Sequence, residues 1–172
     1  WVIQFSNGNP YYNYNKILFI SKDTGFVVGD NRVLLKTTNN GINWAFKTVT
    51  DLYDIHDIFF FDKTTGFSVG EASKMLKTTN GGEIWTHQNS GVGQELNDVE
   101  FVDENYGWAI GMGGIILHTT NGGSNWFAQG NQVSNNLYGL SCNSSQLGWI
   151  AGSDGLVLYT DNGGGDPLPV EL

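Results

Sequence analysis

The segment Gly66-Phe67-Ser68-Val69-Gly70, followed by Lys74-Met75-Leu76 and by the turn Thr78-Thr79-Asn80-Gly81-Gly82 before Trp85, decides the fold. The glycine-bounded pentapeptide recurs at Gly25–Gly29, Gly107–Gly111 and Gly148–Gly152, with 41 residues between successive first glycines. A fixed period of this size, built from strand-like runs and turn residues, is typical of a β-propeller in which each repeat forms one blade.

Each repeat predicts a blade of antiparallel strands. An inner strand with apolar residues at alternate positions, such as Ile58 and Phe60, is followed by the pentapeptide strand, an aliphatic strand and a short strand after the tryptophan. We therefore expect an all-β, four-bladed propeller of four-stranded antiparallel blades, in one domain over residues 1–166. The expected blades span residues 16–48, 55–89, 96–130 and 137–162, and residues 167–172 form a C-terminal tail.

The turns carry the pattern Thr-x-Asn-x-Gly, which leads to tryptophan in three of the four repeats. The Asn and Thr side chains can bond nearby backbone amides, the glycine supplies a positive φ, and the tryptophan buries a large ring under the turn. Because the same turn occurs in every repeat, a fold-defining role is favoured over calcium or sugar binding. The residues concerned are Thr37, Asn39, Gly41, Trp44, Thr78, Asn80, Gly82, Trp85, Thr119, Asn121, Gly123, Trp126, Thr160, Asn162 and Gly164.

The fourth repeat lacks its tryptophan, because the equivalent position is Pro167. The chain begins instead with Trp1, followed by Val2-Ile3-Gln4-Phe5. We expect Trp1 to replace the missing tryptophan and the segment Trp1–Phe5 to complete the last blade, which would remove the open sheet edges. The same end strands could also pair between chains, giving a larger shared ring or an open polymer.

Composition excludes several classes of function. A net charge of −9 with Arg32 as the single arginine argues against a nucleic-acid partner, since such proteins neutralise phosphates with clustered Lys and Arg. No apolar run is long enough to span a membrane. The single cysteine, Cys142, aligns with Phe60 and Phe101 and is expected to be a core thiol. No pattern indicates a cofactor or a metal site.

At its Thr-x-Asn-x-Gly-x-x-Trp turns the chain resembles the Asp-box, or bacterial neuraminidase repeat, in the form found in photosystem II assembly and stability factor-like propellers. This resemblance implies the propeller fold and leaves several functions open, since sialidases, receptors, glycosidases and assembly factors share the repeat. Two features of such proteins are missing. Sialidases use an arginine triad and the assembly factors carry an arginine-rich surface, whereas Arg32 is the only arginine here.

The tail Pro167-Leu168-Pro169-Val170-Glu171-Leu172 resembles the segment that opens the C-terminal sorting region of proteins exported by type IX secretion. This resemblance implies an extracellular or cell-surface protein whose signal peptide and sorting region are removed. An ordinary proline-bearing tail is the alternative.

Two groups of residues are candidates for ligand or partner contact. Lys16, Asp57 and Asp98 occupy equivalent positions on the inner strands, where they would face the channel and bind a cation or polar ligand, or simply be solvated. Tyr11, Tyr12 and Tyr14 lie in a longer linker before the first blade and suit a protein contact or sugar stacking, unless they pack on the propeller itself.

No pair of carboxylates is placed by the sequence as the two catalytic groups of a glycosidase. Glu100 and the pair Asp103-Glu104 follow an inner strand and predict a solvated edge. The expected function is therefore that of a secreted, non-enzymatic propeller for protein interaction or self-association. The alternatives are a glycan-binding or minimal glycoside-hydrolase-like propeller and a periplasmic assembly factor for a membrane complex.

Overall fold

The computed structural model describes residues 3, 12–47, 49, 53–130 and 133–165. Within these ranges the chain forms fifteen strands and three single 3₁₀ turns, at Glu71–Ser73, Met112–Gly114 and Ser153–Gly155. The strands are β1 (Tyr14–Phe19), β2 (Gly25–Gly29), β3 (Val33–Thr37), β4 (Ala45–Phe46), β5 (Ile55–Phe60), β6 (Gly66–Gly70), β7 (Met75–Thr78), β8 (Thr86–Gln88), β9 (Leu96–Phe101), β10 (Gly107–Gly111), β11 (Ile116–Thr119), β12 (Phe127–Ala128), β13 (Leu137–Cys142), β14 (Gly148–Gly152) and β15 (Val157–Thr160).

The strands form four antiparallel sheets in chain order, which confirms the all-β blade prediction. Blade 1 contains β1 to β4, blade 2 contains β5 to β8 and blade 3 contains β9 to β12. Blade 4 contains β13, β14 and β15, three strands among the described residues. The inner strands β1, β5, β9 and β13 are neighbours in that order, so each blade packs face to face on the next. No helix in the described part of the chain has the length and apolar character needed to cross a membrane.

The pentapeptide strands of blades 1 to 3 are the most buried elements, and every residue of β2, β6 and β10 is buried. Their closing glycines lie against the backbone just before the inner strand. A Cβ atom on Gly70 would come within 2.0 Å of the Asp54 carbonyl oxygen, and one on Gly111 within 1.8 Å of the Glu95 carbonyl oxygen. Only glycine allows this approach of inner and second strands.

The repeated turns are held by one set of side-chain bonds. In blade 2, the Thr78 hydroxyl oxygen accepts the Gly82 N–H at 3.0 Å, and the hydroxyl donates to Asn80 Oδ1 at 3.0 Å. Asn80 Oδ1 also accepts the Ile84 N–H at 3.0 Å, which closes the loop before Trp85. The same threonine-to-glycine bond recurs at 3.0, 3.0 and 2.7 Å in blades 1, 3 and 4.

Aromatic rings make the junctions between blades. At the first junction, Phe26 of blade 1 stacks on Phe60 of blade 2 at 4.6 Å, and Trp85 stands edge-on to Phe60 at 5.8 Å. At the second junction, Phe67 stacks on Phe101 at 4.4 Å, and Trp126 stands edge-on to Phe101 at 5.7 Å. Stacked and edge-to-face pairs of this kind add attraction beyond the burial of apolar area.

The outer faces of the first and last blades differ in how far they are exposed. Ile17 on β1 is 60% exposed, whereas its equivalent Ile58 inside the first junction is 1% exposed. Val157 on β15 is 70% exposed, whereas its equivalent Met75 is fully buried. Blade 4 therefore presents an uncovered face, whereas on the outer face of blade 1 Val27, Val33 and Leu35 are buried and pack with Tyr12 and Trp44.

The predicted completion of blade 4 by Trp1–Phe5 is not tested over most of its length, because residues 1, 2, 4 and 5 lie outside the described residues. Ile3 is described, lies in no strand and is 88% exposed. The tail 167–172 also lies outside the described residues.

The buried turn hydroxyls make a testable contribution to stability. Replacing Thr78, which is 1% exposed, by valine leaves the buried Gly82 amide without its acceptor. We expect the free energy of unfolding, measured with urea, to fall by about 1–3 kcal/mol. Thr160→Val is the matched control, because Thr160 is only half-buried and water can replace its hydroxyl. Equal losses in the two variants would contradict this explanation.

Candidate functional site

The inner strands bring Lys16, Asp57 and Asp98 together around the axis of the blades. Lys16 Nζ lies 2.8 Å from Asp57 Oδ1, and the Asp57 residue is 3% exposed. A carboxylate this deeply buried requires a charged partner or several hydrogen bonds. Lys16 supplies the charge, so this part of the site is an ion pair between blades 1 and 2.

The carboxylates also bond the backbone of the following blade. Asp57 Oδ2 accepts the Val99 N–H at 3.2 Å, and Asp98 Oδ2 accepts the Leu140 N–H at 2.8 Å. Glu100 Oε2 accepts the Cys142 N–H at 2.9 Å. Each bond joins residues 42 positions apart, and each links a side chain of one inner strand to the backbone of the next.

Amide and imidazole side chains one position earlier make a second set of such bonds. Asn15 donates to the Ile55 carbonyl at 3.0 Å, and Asn97 donates to the Leu137 carbonyl at 2.7 Å. His56 Nδ1 lies 3.0 Å from the Leu96 carbonyl, so this nitrogen carries the proton and donates. Together the two sets form an inner ladder, a name we keep for these bonds between inner strands.

The inner ladder shapes the charges of its members. Burial, together with the hydrogen bond and negative charge of Asp57, raises the pKa of Asp98 to about 7 against the lowering effects of the Leu140 amide and Lys16. Burial also raises the pKa of Glu100, although the Cys142 amide opposes it. For Lys16, burial lowers the pKa, but its hydrogen bond to Asp57 and the nearby carboxylates outweigh burial and raise it.

Glu100 corrects the expectation of a solvated edge. Its carboxylate is engaged by the Cys142 amide and is desolvated enough to raise its pKa. Asp103 does lie in an exposed turn, where its carboxylate accepts the Asn105 and Tyr106 amides at 2.8 Å. The difference follows from position, because Glu100 is inside β9 and Asp103 is beyond its end.

A cavity of about 360 Å³ lies between blades 3 and 4, at the third junction. Its apolar wall includes Trp108, Leu140, Ile150 and Leu158, and its polar rim includes Gln129, Thr160 and Asn162. At the corresponding place the other junctions hold a phenylalanine and a tryptophan. Blade 4 has Cys142 in place of the phenylalanine, which is why the space is not filled by that ring.

Two further substitutions accompany this cavity. In the first two junctions, Lys36 and Lys77 donate to the carbonyls of Gly81 and Gly122 at 2.7 and 2.6 Å. The equivalent residue in blade 3 is His118, which stacks on Trp108 at 4.6 Å. Gln129 takes over the bond and donates to the Gly163 carbonyl at 2.7 Å.

Cys142 lines the cavity and is half-buried. Burial, followed by the charges of Glu100 and Asp98, raises the pKa of its thiol to about 12. The thiol is therefore protonated at neutral pH and is a weak nucleophile.

The tyrosine cluster is divided in the structure. Tyr12 is half-buried against the outer face of blade 1, with its ring 6.4 Å from Phe46. Tyr14 begins β1 and is 42% exposed, and partial burial followed by the charge of Tyr12 raises the pKa of its hydroxyl. Tyr11 lies outside the described residues. The described part of the chain contains no group of three or more metal-ligating side chains.

Comparison with known proteins shows the family to which the chain belongs. Residues 49–139 and 88–172 match the family described as photosynthesis system II assembly factor YCF48. The chain belongs to this family. The resemblance to photosystem II assembly factor-like propellers is thereby confirmed, while the secretion-related resemblance of residues 167–172 stays a prediction. No curated protein sequence matches the chain.

Solved structures agree on the fold. The chain resembles a structure of YCF48 bound to D1 peptide at 17% identity, with a TM-score of 0.62, over 90% of this chain and 79% of that one. It resembles YCF48 from Cyanidioschyzon merolae at 22% identity, with a TM-score of 0.68, over 84% of this chain and 50% of that one. An ancestral GH74 enzyme matches at 16% identity, with a TM-score of 0.72, over 91% of this chain but 24% of the enzyme.

The raised pKa of Asp98 predicts a pH effect on stability. Because the folded pKa lies above the unfolded value near 3.9, the folded state binds the extra proton, and stability falls as pH rises from about 4 to about 7. Asp98→Asn keeps an acceptor for the Leu140 amide and removes the titration. We expect urea unfolding of this variant to show a smaller fall over the same range and greater stability than the native chain at pH 8.

Asp23→Asn, in the exposed hairpin between β1 and β2, is the control and should keep the native pH profile. Parallel profiles for Asp98→Asn and the native chain would show that Asp98 does not titrate in this way.

Proposed function

We propose that this chain is a non-enzymatic, protein-binding propeller that assists the assembly of a larger complex and acts outside the cytoplasm. Membership of the YCF48 family carries the proposal, because a family structure holds a D1 peptide. Family membership therefore supports binding of a protein partner. Similarity to a GH74 enzyme at 16% identity supports only the shared fold and does not indicate a function.

Carboxylates lie at both ends of the propeller, and those of one end lie beside the starts of the inner strands. The turns after β2, β6, β10 and β14 are hydrogen-bonded to the residues just before each inner strand, as in Glu71 N–H to Asp54 O at 3.0 Å and Met112 N–H to Glu95 O at 2.9 Å. These bonds bring the turns and the starts of the inner strands to the same end. We call its carboxylates the acidic face: Asp30, Asp54, Glu71, Glu95 and Asp154.

The acidic face favours a partner segment that carries positive charge. Complementary potentials speed encounter and select against partners of the same sign. Arg32 and Lys74 lie in the same set of turns, and the net charge of the whole chain is −9. An arginine-rich surface of the kind implied by the family resemblance is not available here, so this chain would recognise a different charge pattern.

The inner carboxylates support a non-enzymatic role. Asp57, Asp98 and Glu100 each accept a backbone N–H of the next blade, so one oxygen of each carboxylate is engaged in holding the blades together. A general acid or base must instead reach a substrate atom within hydrogen-bond distance. The glycan-active alternative rests on Tyr14 as the exposed ring of the described tyrosine pair and on the shared fold.

Location outside the cytoplasm is supported by the tail at 167–172, whose sequence resembles the opening of a type IX sorting region. Surface proteolysis or labelling of intact cells producing the protein would test it.

Peptide binding tests the acidic face directly. A fluorescent peptide of alternating lysine and serine is titrated with the native chain, and binding is followed by fluorescence anisotropy. We expect Glu71→Gln with Glu95→Gln to weaken binding about fivefold, from about 0.5 kcal/mol per exposed charge. Added salt should weaken the native interaction as well.

Asp23→Asn with Glu104→Gln is the matched control, since it removes two charges from hairpins outside the acidic face. It should bind the peptide like the native chain. No binding of the lysine peptide, or equal weakening in both double variants, would refute the acidic face as the contact surface. Equal binding of a glutamate–serine peptide would refute the charge preference.

A further inference from the structure

One ring position of the repeat holds no ring at the third junction. At the first two junctions it is filled by Phe60 and Phe101, which stack on the preceding blade at 4.6 and 4.4 Å. The equivalent residue of blade 4 is Cys142, and its side chain lines the cavity of about 360 Å³ between blades 3 and 4. We call the space bounded by Trp108, Cys142 and Gly148 the open ring position.

The glycine beneath this ring is present in blade 4 as well. In blade 3, a Cβ atom on Gly107 would lie 2.6 Å from the Phe101 ring, so the ring lies directly over the glycine. Gly148 has the same place in blade 4, where a Cβ atom would lie 3.0 Å from Cys142 Sγ. A glycine inside a strand often marks a place where another group approaches closely. Blade 4 therefore leaves room for a ring, although its own residue at that position has none.

Trp108 supplies the surface on which such a ring would stack. It occupies the position of Phe26 and Phe67, the rings that receive the phenylalanine of the following blade. His118 stacks on Trp108 at 4.6 Å and 18°, which covers one face of the indole. Trp108 also lines the cavity. A second ring stacked on an indole adds attraction beyond the burial of apolar area.

The rest of the cavity has apolar walls and a few polar groups at its rim. Leu140, Ile150 and Leu158 line it and are half-buried. At the rim, Gln129 Nε2 donates to the Gly163 carbonyl at 2.7 Å, and Gln129 Oε1 is an acceptor. Small-molecule sites are typically pockets of this composition with volumes of about 300–1,000 Å³. Apolar cavities of only about 150 Å³ already hold benzene.

The charges near the open ring position favour a neutral ligand. Glu100 Oε2 accepts the Cys142 N–H at 2.9 Å, and Asp98 Oδ2 accepts the Leu140 N–H at 2.8 Å. Two carboxyl groups therefore lie beside residues that line the cavity, and the net charge of the whole chain is −9. These groups would repel an anionic ligand, and the apolar walls would not replace its hydration.

We infer that the open ring position binds a small, neutral aromatic molecule of one or two rings, which stacks on Trp108 and lies over Gly148. The ligand takes the place that a phenylalanine of the repeat has at the other junctions. This place differs from the one expected for Trp1. That residue would correspond to Trp85 and Trp126, which stand edge-on to the phenylalanine and do not replace it.

Calorimetric titration with phenol tests the open ring position, because phenol is a single ring that is uncharged at neutral pH. We expect it to bind the native chain at one site. Cyclohexanol has a similar size but no aromatic face, so it should bind about fivefold more weakly. Benzoate keeps the ring and adds a negative charge, so it should bind about tenfold more weakly than phenol.

Substitutions at Cys142 locate the bound phenol. Cys142→Phe supplies the ring that the repeat carries at this position, so it should abolish phenol binding. It should also raise the urea concentration at the midpoint of unfolding, because it fills the cavity. Cys142→Ala is the matched control, since it changes the same side chain without adding a ring. It should bind phenol within about twofold of the native chain.

Labelling of Cys142 gives a second measurement that needs no variant and therefore holds if Cys142→Phe does not fold. Cys142 is the only cysteine of the chain and lines the cavity. A neutral maleimide is used at one pH, with and without ligand. Phenol at about ten times its Kd should slow labelling about tenfold, because about one site in ten stays free. Cyclohexanol at the same concentration should slow labelling less.

Absence of phenol binding to both the native chain and Cys142→Ala would overturn the inference, and so would labelling that phenol does not slow. Equal binding to a folded Cys142→Phe variant would place phenol elsewhere on the molecule. Binding to Trp1→Ala but not to the native chain would assign the cavity to Trp1. This inference goes beyond the proposed function. The lysine–serine peptide should bind the acidic face equally with and without phenol, so the two failures are distinguishable.

Discussion

The structure depends on the contact between an aromatic ring of one blade and a glycine turn of the next. A Cβ atom on Gly123 would lie 2.4 Å from the Phe67 ring, and one on Gly82 would lie 2.5 Å from the Phe26 ring. The turn must therefore contain glycine for the blades to approach. These glycines also have a positive φ, a backbone conformation that glycine adopts more readily than other residues. Once the ring is seated, the stacked phenylalanine and the edge-on tryptophan follow, and the inner strands are brought side by side.

The inner ladder forms only because the blades approach closely. It determines the role of the carboxylates on the inner strands. Carboxylates at the channel would ordinarily be candidates for binding or catalysis. In this chain they cap backbone amides of the neighbouring blade, and their burial raises the pKa of Asp98 and Glu100. Exposed carboxylates lie at both ends of the blades, and the proposed partner contact uses those in the turns of the acidic face.

Sequence periodicity was sufficient to predict the blades, the strand order within each blade and the turn residues. These features repeat every 41 residues, so a single pattern reports on all of them. Periodicity also placed Lys16, Asp57 and Asp98 at equivalent positions. It did not predict their hydrogen-bond partners, because the inner ladder joins a side chain to a backbone group of the next repeat, and any residue type can supply that group. Asn15, His56 and Asn97 occupy the same position in successive repeats. Aligning the repeats would therefore have identified them as a set of polar side chains on the inner strands.

No repeated position in the sequence indicates the role of Gln129. It donates to the turn carbonyl that a lysine bonds at the other junctions, but it lies at a different position of the repeat from those lysines. The cavity at the third junction likewise follows from the combination of Cys142 with the missing tryptophan at position 167, and only packing shows its size. The departures from the repeat are concentrated in blade 4. They lie on the face that blade 4 turns toward blade 3, where the cavity is.

Residue-resolved hydrogen exchange of the Val99, Leu140 and Cys142 amides tests the central claim that side chains of one inner strand bind the backbone of the next. These amides donate to Asp57, Asp98 and Glu100. We expect them to be protected like amides within the sheets, and protection of the Leu140 amide to fall in Asp98→Ala while that of Val99 is kept. Exchange of all three at the rate of an unstructured peptide would contradict the inner ladder and the assignment of these carboxylates to structure.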